Sequence, residues 1–149
     1  MLQSGNPITI TVPSTLAQSY TSGNLYPNST GYPVIAPHTI QQWYNPAYNT
    51  ATTNVPGAAF SIPANGTFGN NKRNSVVGPG QILFDLSVGK TFDLWAERYK
   101  FQIRMDAFNA LNHANFGNPG TSLSTGSAGV ITSTTNNGRN LQLGGRFSF

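Results

Sequence analysis

The sequence predicts an all-β protein, an antiparallel meander of about four strands joined by long irregular loops. Three observations lead there. The chain closes on "LQLGGRFSF", in which Leu141, Leu143, Phe147 and Phe149 share one parity with Gly145, while Gln142, Gly144, Arg146 and Ser148 share the other. That period of two is the mark of a strand with one oily and one wet face. Charged residues make up only 8% of the 149 residues, about a third of the usual share, and 16 Gly and 10 Pro punctuate the chain, which excludes a helical bundle. No stretch approaches the ~18 consecutive apolar residues of a membrane helix.

Taken in order, Ile8 to Val12, "ITITV", alternates with β-branched residues and reads as the end of a strand stopped by Pro13. Residues 13–80 hold no period for long. Asn, Thr, Ser, Gly and Pro alternate there with single aromatics such as Tyr26, Tyr32, Trp43, Tyr44 and Phe60, and the segment reads as one long loop region. Regularity returns at "QILFDLSVGKTFDL", with Ile82, Phe84, Leu86, Val88 and Phe92 against Asp85, Ser87, Gly89 and Thr91. "YKFQIRMDAFN" repeats the pattern, with Tyr99, Phe101, Ile103, Met105 and Ala107 against Lys100, Gln102, Arg104, Asp106 and Phe108. Only 93–98 separates the two, so they form a hairpin. A Gly/Asn/Pro-rich stretch, "GVITSTT" and a turn at "NNGR" then lead to the final strand. The reading is one incomplete strand at the start and three whole ones at the end.

Charge placement narrows the class. Every Lys, Arg, Asp and Glu lies between Lys72 and Arg146, and Asp85, Arg104, Asp106 and Arg146 all fall on the polar parity of their strands. An Arg facing lipid at the midplane of a bilayer costs roughly 2 to 4 kcal/mol, so four charges on one side fit strands whose other side meets lipid. A soluble sandwich has the same alternation, with its oily faces packed together. Strand length near the ~10 residues that cross a membrane at a tilt favours a transmembrane barrel. Aromatic placement agrees: Phe92, Trp95 and Tyr99 flank the short turn as interfacial aromatics, and Phe147 and Phe149 end the last strand. On this reading residues 1–12 end a barrel strand and 13–80 are an extracellular loop region. Residues 81–149 are then the C-terminal strands with one short periplasmic turn and one extracellular loop, and the four charges face the lumen.

Other classes find little support. The net charge of +4 comes from scattered basic residues, without the clustered Lys and Arg of a nucleic-acid surface, so no nucleic-acid partner is expected. Cys is zero, which excludes disulfides and thiolate metal sites. "VGKT" at Val88 to Thr91 shares its end with a phosphate-binding loop, but that motif needs Gly at position 84, which is Phe. His38 and His113 stand alone, without a ligand spacing. Asp85 and Asp106 sit among Arg and Lys and fit a charge ladder, with Asp85 facing Arg104 as one register, better than an acid/base pair. Asn28 and Asn65 match the glycosylation acceptor pattern, as chance allows in an Asn/Thr-rich chain. No catalytic site, cofactor or metal is expected. The opening "MLQSGNPITITVPS" has no signal-peptide pattern, and with the strand-like start it leads to the expectation that the chain is the end of a longer protein.

Two resemblances follow from these residues. "QLGGRFSF" resembles the C-terminal β-signal of bacterial outer-membrane proteins, with Gln142, Gly144, Phe147 and Phe149 in its four places. The resemblance implies an outer-membrane location and a partner in the barrel-assembly machinery. "WYNPAY", "GTFGNNKRNSVVGPGQILFDLSVGKTF", "FQIRMDAFNALNHANFGNP", "GVITS" and the terminal strand, in that order, resemble the end of TonB-dependent receptor-like proteins of the Oar-like type that carry a carboxypeptidase-regulatory-like domain. This implies ligand uptake by the full-length protein. The implied partners are outer-membrane lipid, the remainder of the same barrel, and the TonB system through a plug that this chain lacks. Two other readings stay open: a trimeric autotransporter-type anchor, which brings a coiled-coil stalk, and a soluble secreted β-sandwich binding module. Four strands cannot close a barrel, for which eight is the smallest number, so insolubility without detergent is expected of the chain by itself.

Overall fold

The computed structural model describes residues 1–13, 24–34, 36–94, 98–124 and 126–149. They contain no helix and divide into two compact units. Unit 1 comprises Met1–Gln3, Gln81–Asn115 and Thr134–Phe149; unit 2 comprises Ser4–Gly80 and Phe116–Ser133.

Unit 1 is the meander. Strand β1 (Leu2–Gln3) pairs antiparallel with β9 (Gln81–Ile82), Leu2 opposite Ile82. Three longer strands, β10 (Leu86–Leu94), β11 (Tyr99–Phe108) and β12 (Asn140–Ser148), form an antiparallel sheet in that order. At 9, 10 and 9 residues they match the ~9–11 of a tilted transmembrane strand. The run read as one strand from Gln81 breaks at residues 83–85, and the backbone explains why. Asn109 adopts φ 50° and turns the chain out of β11, so Phe84 O receives Ala110 N–H at 2.7 Å and Asp85 Oδ1 receives Asn109 N–H at 2.9 Å, in place of ladder bonds. Leu83 meanwhile continues the pairing with β1, donating to Met1 O at 2.8 Å and accepting from the Met1 ammonium.

Unit 2 is built from short pairings around a core of its own. β2 (Pro7–Ile8) pairs with β8 (Val76–Val77), and β3 (Val12–Pro13) with β4 (Asn24–Leu25). β5 (Asn28–Ser29), β7 (Phe60–Ser61) and β6 (Tyr48–Asn49) form a three-stranded sheet in which β6 and β7 run parallel, an exception to the antiparallel rule. The alternating residues Ile8, Ile10 and Val12 are all buried, together with Tyr44, Ala59, Phe60, Val76 and Leu123. "ITITV" thus has the period of a strand but divides between two pairings, with its oily parity turned into this core. The segments just before β2 and just after β8 approach so closely that a Cβ at Gly5 would stand 1.7 Å from Gly78 O, a contact only glycine permits. "GVITSTT" forms no strand: Ile131 is buried and its N–H bonds Ile40 O at 2.8 Å.

Candidate functional site

The register of β10, β11 and β12 sorts their side chains into rows. On one face stand Leu86, Ala107 and Leu141; then Val88, Met105 and Leu143; Lys90, Ile103 and Gly145; Phe92, Phe101 and Phe147; and at the turn end Leu94 and Tyr99. This face is uncovered, with Val88 54% and Leu143 79% exposed. An apolar surface of this extent, uncovered by the rest of its unit, marks contact with a membrane or another protein. Its turn end is aromatic: Tyr99 and Phe147 stack at 6.0 Å, and Phe149 lies 6.4 Å from Phe147. The Phe101 ring covers Gly145, where an added Cβ would find its carbons at 3.7 and 3.8 Å, so an aromatic fills the gap that glycine leaves in the sheet.

The opposite face is polar. Its rows are Phe108 and Asn140; Ser87, Asp106 and Gln142; Gly89, Arg104 and Gly144; Thr91, Gln102 and Arg146; Asp93, Lys100 and Ser148. Arg104, Asp106 and Arg146 therefore share it. Arg104 Nε donates to Asp106 Oδ1 at 2.9 Å, Ser87 Oγ donates to the same oxygen at 2.5 Å, and Lys100 pairs with Asp93 at 3.7 Å. The anticipated Asp85–Arg104 pairing does not form: Arg104 stands opposite Gly89, and Asp85 lies beyond the ladder holding Asn109 N–H. The residues that resemble a β-signal divide between the faces, Gln142 and Gly144 on the polar one, Phe147 on the apolar one, with Phe149 one residue past β12 and 93% exposed. Of the aromatics expected at the interface, Phe92 and Tyr99 lie on the apolar face; Trp95 lies outside the described residues.

Two features escape the sequence pattern. Lys90 shares the apolar face, because even positions of β10 point there and its charge does not change its parity. The other is a cluster of asparagines where β11 leaves the sheet. Asn115, 2% exposed, receives Ile82 N–H on Oδ1 at 2.7 Å and donates Nδ2 to Ile82 O at 2.9 Å, so its side chain pairs with backbone as a neighbouring strand would. Buried Asn109 donates Nδ2 to His113 O and Asn137 O at 3.1 and 3.2 Å, tying the start of the β11–β12 connection to its end. The run of Asn in "FNALNHANF" was the available signal, since Asn tolerates φ > 0 and carries both donor and acceptor.

Unit 2 carries an open cleft of about 790 Å³, lined among others by Gln41, Asn45, Tyr48, Thr50, Thr53 and Leu123. Among the described residues no charged side chain lines it. Its floor is rigid. Tyr44, 1% exposed, donates its hydroxyl to Gly120 O at 2.6 Å and meets Phe60 edge-on at 6.5 Å. Burial pushes the Tyr44 phenol up to about 12, against a smaller opposing pull from the Gly129 backbone. Trp43 donates Nε1 to Val77 O at 2.8 Å and stacks on His38 at 4.8 Å, so that histidine sits in a ring contact. The surface offers amides, hydroxyls and one aromatic ring, and no group that titrates near neutral pH.

Comparison with known proteins adds one match. The model of a family described as outer membrane beta barrel domain matches residues 1–142, a span that takes in both units and ends within β12. No curated protein and no solved structure matches the chain. A meander of strands long enough to cross a bilayer, apolar on one face and charged on the other, is what that family builds its wall from. The chain belongs to the outer membrane β-barrel domain family, whose place is the bacterial outer membrane.

Proposed function

We propose that the chain is the C-terminal portion of a TonB-dependent outer-membrane receptor, contributing barrel wall, external loops and assembly signal to a protein that takes up a ligand. It performs no chemistry itself in this reading. The observation that carries it is the joint folding of two long connections into unit 2. Residues of both meet in one core, where Leu123 packs among Ile10, Val12 and Phe60, and Thr11 and residues 121–123 exchange backbone bonds of 3.0 Å. Antiparallel order makes both connections join strand ends away from the short β10–β11 connection, the side on which barrels carry their long extracellular loops. A structured external unit with an uncharged cleft suits capture of a bulky, neutral, hydrogen-bonding ligand. The resemblance of the sequence blocks to receptor C-termini points the same way. Sequencing the coding DNA upstream tests the reading: an in-frame plug domain is expected, and crosslinking of that plug to TonB in cells should follow. An in-frame heptad stalk would overturn the receptor reading in favour of a trimeric anchor.

A further inference from the structure

Lys90 stands where a cation is costly. It faces Ile103 across the hairpin, with Val88 and Phe92 along its own strand and Gly145 completing the row, all apolar. Its ammonium lies 5.2 Å from the centroid of the Phe92 ring, so the stem runs from its own row to the aromatic row nearer the turn. The ion pairs among the described residues are Asp93–Lys100 and Arg104–Asp106, both on the other face, and Lys90 is in neither. A cation on the lipid side is tolerated when a long side chain carries it to the interface, and the aromatics mark that level. The short turn places the row toward the periplasmic side, where the leaflet is phospholipid.

An ammonium has three donors and no acceptor, and its row offers it no oxygen. Among the described side chains Asp85, Asp93 and Asp106 all have the opposite parity, so none of these carboxylates neutralises it on this face or attracts the amine of a zwitterionic headgroup. We infer that Lys90 is a lipid-binding residue that holds the phosphate of an anionic phospholipid against the aromatic row of the barrel's outer face. The lipid supplies the missing acceptors, and Phe92 adds a cation–π contact. The inference rests on membership of the barrel family and not on the receptor reading.

The test uses the intact barrel in bilayers of phosphatidylcholine with a minority of phosphatidylglycerol, followed by gentle extraction and native mass spectrometry of the lipid retained. Wild type should retain phosphatidylglycerol in preference to phosphatidylcholine; K90A should lose that preference by about fivefold, and K90R should keep it. Heat-shifted migration on gels establishes that each variant has folded. Equal retention by wild type and K90A overturns the inference, as does the absence of any preference in wild type, which would mean that the ammonium reaches only water. Loss in K90R as large as in K90A would assign the effect to packing and overturn it equally.

Discussion

Placing Arg at Met105 tests which face of the sheet meets lipid. Met105 stands opposite Val88 and Leu143 in the second row of the apolar face, six residues from Leu94 along the β10 ladder. At ~3.3 Å per residue that is about 20 Å along the strand. A tilt near 40° reduces it to about 15 Å of depth, close to the middle of an apolar band ~25 Å tall. Met105→Arg should therefore cost about 2–4 kcal/mol, the penalty for Arg near the midplane. Tyr99→Arg, at the turn end of the same face, should cost no more than about 1 kcal/mol. Ser87→Arg lies at nearly the depth of Met105 but on the polar face, opposite Asp106, and should stay within about 1 kcal/mol. The assay is reversible denaturant unfolding of the intact barrel in lipid vesicles, read by tryptophan fluorescence. Equal penalties at Met105 and Ser87 would refute the assignment of faces. A penalty that does not fall from Met105 to Tyr99 would refute the bilayer as the cause, because a protein core has no such depth gradient.

Other outcomes follow from single contacts. Asn115→Ala should remove both bonds to Ile82 and leave its backbone N–H and C=O without those partners, costing about 1–2 kcal/mol; faster amide exchange at Ile82 reads it directly, and unchanged exchange would show that the pairing carries no weight. Deleting Phe149 from the intact protein should lower its surface level severalfold, and an unchanged level would refute the signal assignment of Gln142, Gly144, Phe147 and Phe149. Tyr44 has a pKa of about 12 in the fold against 10.0 for a free phenol, so its neutral form is favoured by folding. That contribution is complete below pH 10 and is lost as pH rises through about 12, up to about 2–3 kcal/mol. Unit 2 should therefore loosen over that interval, with tyrosinate absorbance appearing at the same pH. Tyr44→Phe should abolish the pH dependence.

Much of the wall is legible in residue order because strand parity is local. Leu141 to Phe149 and Tyr99 to Ala107 alternate strictly, and backbone geometry sends alternate side chains to opposite faces whatever the partner strand is. The hairpin of β10 with β11 and the shared face of Arg104, Asp106 and Arg146 follow from that alone. Residues 13–80 were opaque for the complementary reason. Their pairings are two residues long and lie far apart in sequence, as in Asn28 with Ser61 or Ile8 with Val76, so no period accumulates to announce them.

Sequence by itself thus determined which side chains share a face, since the repeat is fixed by covalent geometry. Tertiary structure decided what meets across strands. Arg104 faces Gly89, Asn115 substitutes for a strand beside Ile82, and Lys90 faces Ile103. It also decided that loop residues as distant as Ile10 and Leu123 share one core. Each of these depends on register and long-range packing, which form only when distant segments give up chain entropy together and which alternation along one segment does not encode.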